Sequence, residues 1–132
     1  MQYIHMFKYR TPKHCRYRLR MSRQSITVTY HPNSLEGFDS RGHILTILGA
    51  GRVTTPGHPA GNQQYSSQSK FFRAASIQKT FPVYHKVDES VTYMGEYAFD
   101  SFKKKQSFEG FTYFAITLYR TTTAEDIVSR PP

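Results

Sequence analysis

The sequence predicts a mainly β (α+β) domain, in which a strongly curved sheet or partly closed β-barrel carries one main helix after a glycine-rich loop. First, ten Tyr, ten Phe and many Thr and Ser favour strands. Second, short runs with strand-like patterning recur along the chain, separated by turn residues. Third, these runs follow one another without intervening helices, which argues against a parallel doubly wound sheet. A length of 132 residues fits one domain.

The N-terminal part predicts four strands. The first, YIHMFKYR (3–10), stops at Thr11-Pro12, because the residue before a proline avoids the helical region. The second lies in HCRYRLRMSR (14–23), which alternates apolar and basic residues with a period of two. SITVTYH (25–31) follows and ends at a turn signal. HILTILG (43–49) is almost entirely apolar, which predicts a strand buried on both faces.

The C-terminal part predicts the helix and three more strands. Residues 49–62 contain four glycines and two prolines and predict a shaped loop. Residues 62–78 contain neither and begin with Asn62, a good N-cap residue, so we expect the helix there. The remaining strands are FPVYHKV (81–87), VTYMGEYAF (91–99) and FTYFAITLYR (111–120), with a polar loop at 100–110 and a trailing tail at 121–132.

Positive charge is concentrated at the N-terminus. Seven Lys and Arg and no acid lie in residues 1–23, whereas residues 24–132 contain eleven bases and nine acids. Such a basic segment typically faces a polyanion, and the interleaved aromatic residues favour nucleic acid over a membrane surface. Arg16, Arg18 and Arg20 would lie on one strand face about 7 Å apart, a spacing suited to phosphates. A solvated basic face, or a charged edge that blocks aggregation, is the alternative.

The sequence offers little support for catalysis. The six histidines are scattered, the single Cys15 excludes an internal disulfide framework and a cysteine-rich zinc site, and GAG at 49–51 lacks the rest of a phosphate loop. We therefore expect no cofactor, no metal and no catalytic residue. No apolar run is long enough to cross a bilayer. We expect an intracellular protein, nuclear if eukaryotic and cytoplasmic if prokaryotic.

Five blocks, read in order, resemble SRA (YDG) domains, which have a PUA-like fold. They are GHILTILGAGR (42–52), GNQQYSSQSKFFRAAS (61–76), FPVYHKV (81–87), VTYMGEYAF (91–99) and FTYFAITLYR (111–120). The resemblance covers about residues 36–120 and rests on the order and spacing of the blocks. It departs from the family in three places: Tyr93-Met94-Gly95 stands for YDG, Ile47 replaces a pocket aromatic, and the finger loop is shortened to residues 54–62.

The resemblance implies a non-catalytic, PUA-like barrel that binds duplex DNA and flips a modified cytosine, such as 5-methylcytosine, into a pocket. Tyr30 and Phe38 would stack on the base, and Glu36 or Asp39 would accept a hydrogen bond from its amino group. The other expected nucleic-acid contacts are Arg41, Gly49, Gly51, Arg52, Gln63, Gln64 and Arg73. A separate catalytic subunit is a possible partner, as in a modification-dependent restriction system.

Two other functions stay open at this stage. A single-stranded RNA or DNA binder would use the aromatic sheet face as a stacking platform. A small nuclease or base-modifying enzyme would depend on Asp39 or Glu36.

Overall fold

A six-stranded sheet curled into a half-barrel, together with one short helix, forms residues 23–122, the part of the chain that the computed structural model describes. This confirms the predicted fold class. The strands are β1 (Ile26–Thr29), β2 (Gly37–Phe38), β3 (Ile44–Leu48), β4 (Phe81–Val87), β5 (Ser90–Gln106) and β6 (Thr112–Arg120). The strands expected at 3–10 and in 14–23, with Arg16, Arg18 and Arg20, and the tail from 123 onward lie outside the described residues.

The strand order in the sheet is β1-β4-β5-β6-β3-β2. All neighbours are antiparallel except β1 and β4, which are parallel and place Val28 opposite His85. The two edge strands are therefore β1 and β2, which are close in sequence and lie at opposite ends of the strand order. Curling of the sheet brings these two edges towards each other.

The helix is shorter than the expected span of 62–78. A 3-10 turn covers Tyr65–Gln68 and helix α1 covers Ser69–Ile77. The chain before Tyr65 is held against β6, because Thr112 N donates to Asn62 Oδ1 (2.8 Å) and Gln63 N donates to Thr112 O (2.8 Å). Asn62 therefore anchors the loop to the sheet and does not cap the helix.

Strand β5 is the largest departure from the predicted elements. Residues 100–106, predicted as part of a loop, continue β5 beyond an irregularity between Phe99 and Ser101. There Lys103, Lys104 and Lys105 pair with Ala115, Phe114 and Tyr113 of β6. Lysine has a low strand propensity, but pairing with a neighbouring strand overrides it. Two smaller differences are the two-residue strand β2, which was predicted as loop, and Ile44, which is exposed at the start of the otherwise well buried β3.

The core lies inside the curl of the sheet, where Ile26, Leu45, Val83, Tyr97 and Leu118 are completely buried. The helix closes this core with aromatic side chains. The Phe71 ring stacks on Phe81 at 5.6 Å and meets Phe99 edge-on, and Phe72 meets Phe102 at 4.8 Å. Phe102 in turn stacks on Phe114 at 4.9 Å. Much of the aromatic content of this part of the chain is thus used in packing and does not form an open stacking platform.

Candidate functional site

A pocket of about 580 Å³ lies between the two edge strands of the sheet. Its walls come from the end of β1, the segment from Asn33 to Gly42 that contains β2, His85 of β4 and Met94 of β5. The ring of Phe38 on β2 lies 5.0 Å from that of His85 and 6.0 Å from that of Tyr97. These ring contacts close the gap between the strands below the pocket. The volume is in the range of small-molecule sites.

Five residues predicted from the sequence as nucleic-acid contacts line this pocket: Tyr30, Glu36, Phe38, Asp39 and Arg41. Tyr30 follows β1 and is held there because its backbone N donates to Lys86 O at 2.8 Å. Its side chain is 56% exposed. Phe38 is half-buried and packs against the core. Tyr30 therefore has a ring face available to a ligand, whereas Phe38 forms the floor.

Glu36 is a buried carboxyl at the pocket wall. Its Oε2 accepts a hydrogen bond from Leu48 N at 2.8 Å, and Oε1 is buried without a partner among residues 23–122. Burial raises the pKa of Glu36 from 4.5 to about 8, although the Leu48 hydrogen bond opposes this shift. Near neutral pH the side chain is therefore mainly protonated.

Asp39 has the opposite electrostatic character. Its Oδ1 accepts hydrogen bonds from His43 N (2.7 Å) and Ile44 N (3.1 Å), which close the tight turn between β2 and β3. The Ile44 hydrogen bond is the main cause that lowers the pKa of this exposed carboxyl. The pocket thus contains an ionised carboxylate at its rim and a protonated carboxyl in its wall.

The turn that carries Asp39 lies against two side chains, those of Tyr97 and Arg120. The Tyr97 hydroxyl donates to Gly42 O, and burial raises the pKa of this hydroxyl. The Arg120 guanidinium carbon lies 5.7 Å from the centre of the Tyr97 ring. Gly42 has φ of +75°, and a Cβ there would approach Arg120 Nη2 to 2.6 Å. The positive φ therefore favours glycine at position 42.

Gln63, Gly49 and Gly51 lie in a different, tightly packed region. Gln63 is buried; its Oε1 accepts from Phe114 N (2.9 Å) and its Nε2 donates to Gly49 O (2.8 Å). Gln68 makes a similar pair, because its Oε1 accepts from Ala50 N and its Nε2 donates to Ala50 O. A Cβ on Gly49 would approach Gln68 Oε1 to 2.7 Å, and one on Gly51 would approach Gln63 Cγ to 2.8 Å. We call the four residues Gln63, Gln68, Gly49 and Gly51 the glutamine crosslink.

The glutamine crosslink gives Gln63 a structural role. Its amide is buried and bonded to two backbone groups, and both glycines make room for glutamine side chains. The predicted contact of Gln63, Gly49 and Gly51 with nucleic acid stays a prediction. Arg52, Gln64 and Arg73 are exposed, but they do not line the pocket. Their predicted role in binding nucleic acid stays a prediction.

Asn33 and Ser34 belong to the loop 33–42 that the resemblance places at the pocket, whereas His85 and Met94 line the pocket without having been predicted there. His85 reaches the pocket through the pairing of β1 with β4, for which the sequence has no local signal. Burial lowers the pKa of His85. Met94 is the middle residue of the Tyr93-Met94-Gly95 motif, so the resemblance to SRA domains could have indicated that it lies at the pocket. Ile47, in contrast, is completely buried and does not line the pocket.

Among residues 23–122, no cluster of three His, Cys, Asp or Glu side chains is arranged to hold a metal ion. In the same range, no helix combines the length and the apolar character needed to cross a bilayer.

Solved structures share this fold. The SRA domain of SUVH5 in complex with methylated CHH DNA has a TM-score of 0.59 and 18% identity, covering 93% of this chain and 75% of that one. The same domain bound to fully hydroxymethylated CG DNA has a TM-score of 0.56 and 15% identity, covering 76% and 69%. KRYPTONITE in complex with mCHG DNA and SAH has a TM-score of 0.57 and 15% identity, covering 100% of this chain and 28% of that one.

No protein-family model matches the sequence, and no curated protein matches it significantly. The likeness therefore lies in the fold, at low sequence identity. This chain has an SRA-like fold, as its block order predicted.

Proposed function

We propose that this chain is a non-catalytic DNA-binding module that takes a modified cytosine out of the duplex and holds it in the pocket between β1 and β2. One observation carries the proposal: an open pocket with an exposed tyrosine and an ionised carboxylate lies between the two edge strands of an SRA-like sheet. Solved domains with this fold bind methylated or hydroxymethylated DNA. A flipped base needs a stacking surface, polar groups for its Watson–Crick edge and a water-excluding wall.

Each requirement has a candidate residue in the pocket. Tyr30 stacks on the base, with 56% of its surface exposed in the free protein. Asp39 accepts a hydrogen bond from the cytosine amino group, because its lowered pKa keeps it ionised. Glu36, protonated and already bonded to Leu48 N, supports the wall and is a poorer acceptor. Met94 supplies an apolar surface suited to a methyl substituent.

Phosphate contacts supply the sequence-independent part of the affinity. Arg41 at the pocket rim is one source. Arg16, Arg18 and Arg20 are a second proposed source. Arg23, the last basic residue of the N-terminal segment, is bound within the protein. It forms an ion pair with Glu96 at 3.0 Å and donates a hydrogen bond to Thr80 O.

The test is a binding panel on matched duplexes that carry cytosine, 5-methylcytosine or 5-hydroxymethylcytosine at one position, with single-stranded controls. We expect a modified duplex to bind more tightly than the unmodified duplex and the single strands. A 2-aminopurine placed beside the target should gain fluorescence as stacking is lost. Equal binding to all duplexes, or preference for single strands, would contradict the proposal.

Tyr30→Ser tests the stacking contact. Because stacking of a base on an aromatic ring contributes about 1–3 kcal/mol, the variant should bind the preferred duplex roughly tenfold to a hundredfold more weakly. Tyr119→Ser is the matched control, since Tyr119 is 44% exposed and does not line the pocket. Similar losses in both variants would remove Tyr30 from the proposed site.

A further inference from the structure

The end of β5 and the turn that joins it to β6 form a surface that we call the lysine hairpin (residues 103–111). Lys103, Lys104 and Lys105 are all exposed, and Phe108 at the tip is completely exposed. None of the three lysines forms an ion pair within the described part of the chain. The acids nearest in sequence are Glu109 at the tip and Asp100 at the strand irregularity.

The lysine hairpin is well ordered by its own hydrogen bonds. Ser107 N donates to Phe111 O (2.8 Å), Gly110 N donates to Ser107 O (2.9 Å), and Phe111 N donates to Ser107 Oγ (3.1 Å). Gly110 has φ of +92°, a conformation that favours glycine. The turn closes through serine and glycine, so its geometry does not require a phenylalanine at the tip. Phe108 is therefore presented to solvent at the tip of a hydrogen-bonded turn.

A continuous rim connects this hairpin to the pocket. Ser34 lines the pocket, and its neighbour Leu35 donates from its N to Gly57 O at 3.0 Å. Immediately after Gly57, His58 and Pro59 line a second cavity, of about 340 Å³, whose other wall contains Glu109 and Phe111 of the hairpin. Pro59 is two residues from Gly57, a distance of at most about 7 Å along the chain. The pocket rim, the glycine-rich loop and the tip of the hairpin are therefore neighbours in a sequence of contacts, with residues 57–59 of the loop between the other two.

From this arrangement we infer that the lysine hairpin is a second DNA-contacting element, which holds the duplex beside the pocket. Lys103 and Lys105 lie on one strand face about 7 Å apart and contact phosphates. Phe108 enters the minor groove as an apolar wedge, a common use of phenylalanine in proteins that deform DNA. The stretch from Lys103 to Phe108 spans about 17 Å, or roughly five base pairs. This inference rests on the proposed function.

The test is the salt dependence of duplex binding for three hairpin variants of the full chain. The slope of log K against log salt is negative, and each lost phosphate contact should lower its magnitude by about 0.9. We therefore expect a decrease of about 0.9 for Lys105→Ser and about 1.8 for the Lys103→Ser, Lys105→Ser double variant. Phe108→Ser should weaken binding severalfold with an unchanged slope. Preference for the modified base should be retained in all three, because the pocket is intact.

Lys79→Ser is the control, since this exposed lysine precedes β4 and lines neither cavity. Its slope should equal that of the wild type. If the wild-type chain binds modified duplex but the double variant keeps the wild-type slope, the hairpin inference is wrong and the proposed function stands. If the wild-type chain does not bind duplex DNA at all, both are wrong. Thermal unfolding of each variant checks that the fold is retained.

Discussion

The pocket and the glutamine crosslink both contain residues that were predicted to contact DNA, yet they differ in how their polar groups are satisfied. In the crosslink, the side-chain amide of Gln63 bonds with two backbone groups. In the pocket, Glu36 keeps an unpartnered oxygen among the described residues, and Tyr30 keeps an exposed ring. A saturated polar group stabilises the fold, whereas an unsaturated one costs stability and is available for function. Three substitutions test this distinction.

The largest expected effect is on the pH dependence of stability, through Glu36→Gln. Between pH 4.5 and about 8 the folded protein retains the Glu36 proton and the unfolded chain has lost it. The free energy of unfolding should therefore fall as pH rises through this window, by up to about 1.4 kcal/mol per pH unit. Glutamine has no such proton and keeps an acceptor for Leu48 N, so the variant should be more stable than the wild type towards pH 8.

Urea unfolding at several pH values measures this difference. Glu89→Gln, at an exposed turn position, is the control because all other titrating groups are shared. If the two variants show the same pH dependence, Glu36 is ionised in the folded protein and the contrast between the two regions disappears.

A second substitution, Gln63→Ala, should destabilise the fold at every pH. It leaves Phe114 N and Gly49 O buried without their partner, which costs about 3 kcal/mol in total. Gln64→Ala, at the exposed neighbouring position, should change stability by less than about 0.5 kcal/mol. Chemical denaturation separates the two variants. A stable Gln63→Ala variant that binds DNA weakly would instead return Gln63 to the binding surface.

The smallest expected effect is that of Arg41→Ser at the pocket rim. Arg41 is exposed, so stability should be nearly unchanged. Loss of one phosphate contact should lower duplex affinity about fivefold to tenfold at roughly 0.1 M salt. It should also lower the magnitude of the slope of log K against log salt by about 0.9. Fluorescence anisotropy titrations at several salt concentrations measure both quantities. An unchanged slope would show that Arg41 makes no phosphate contact.

Local patterns in the sequence were sufficient for most elements, and the resemblance to SRA domains pointed to the region of the pocket. Strand β4 has the predicted bounds, and β1, β3 and β6 lie within their predicted runs, because alternation and apolar runs report directly on which faces are buried. Five of the predicted nucleic-acid contacts line one pocket because they are close in sequence: Tyr30, Glu36, Phe38, Asp39 and Arg41. Their role in binding stays a prediction.

Other features depended on contacts between distant residues. The pairing of β1 with β4 places His85 in the pocket, and pairing with β6 extends β5 through three lysines. The different states of Glu36 and Asp39 also arise from the fold, because burial acts on one carboxyl and backbone N–H groups on the other. The sequence alone determined the kinds of elements and the residues near the pocket. Only the tertiary structure decided which polar groups are satisfied, because hydrogen-bond partners and desolvation come from segments that are far apart in the chain.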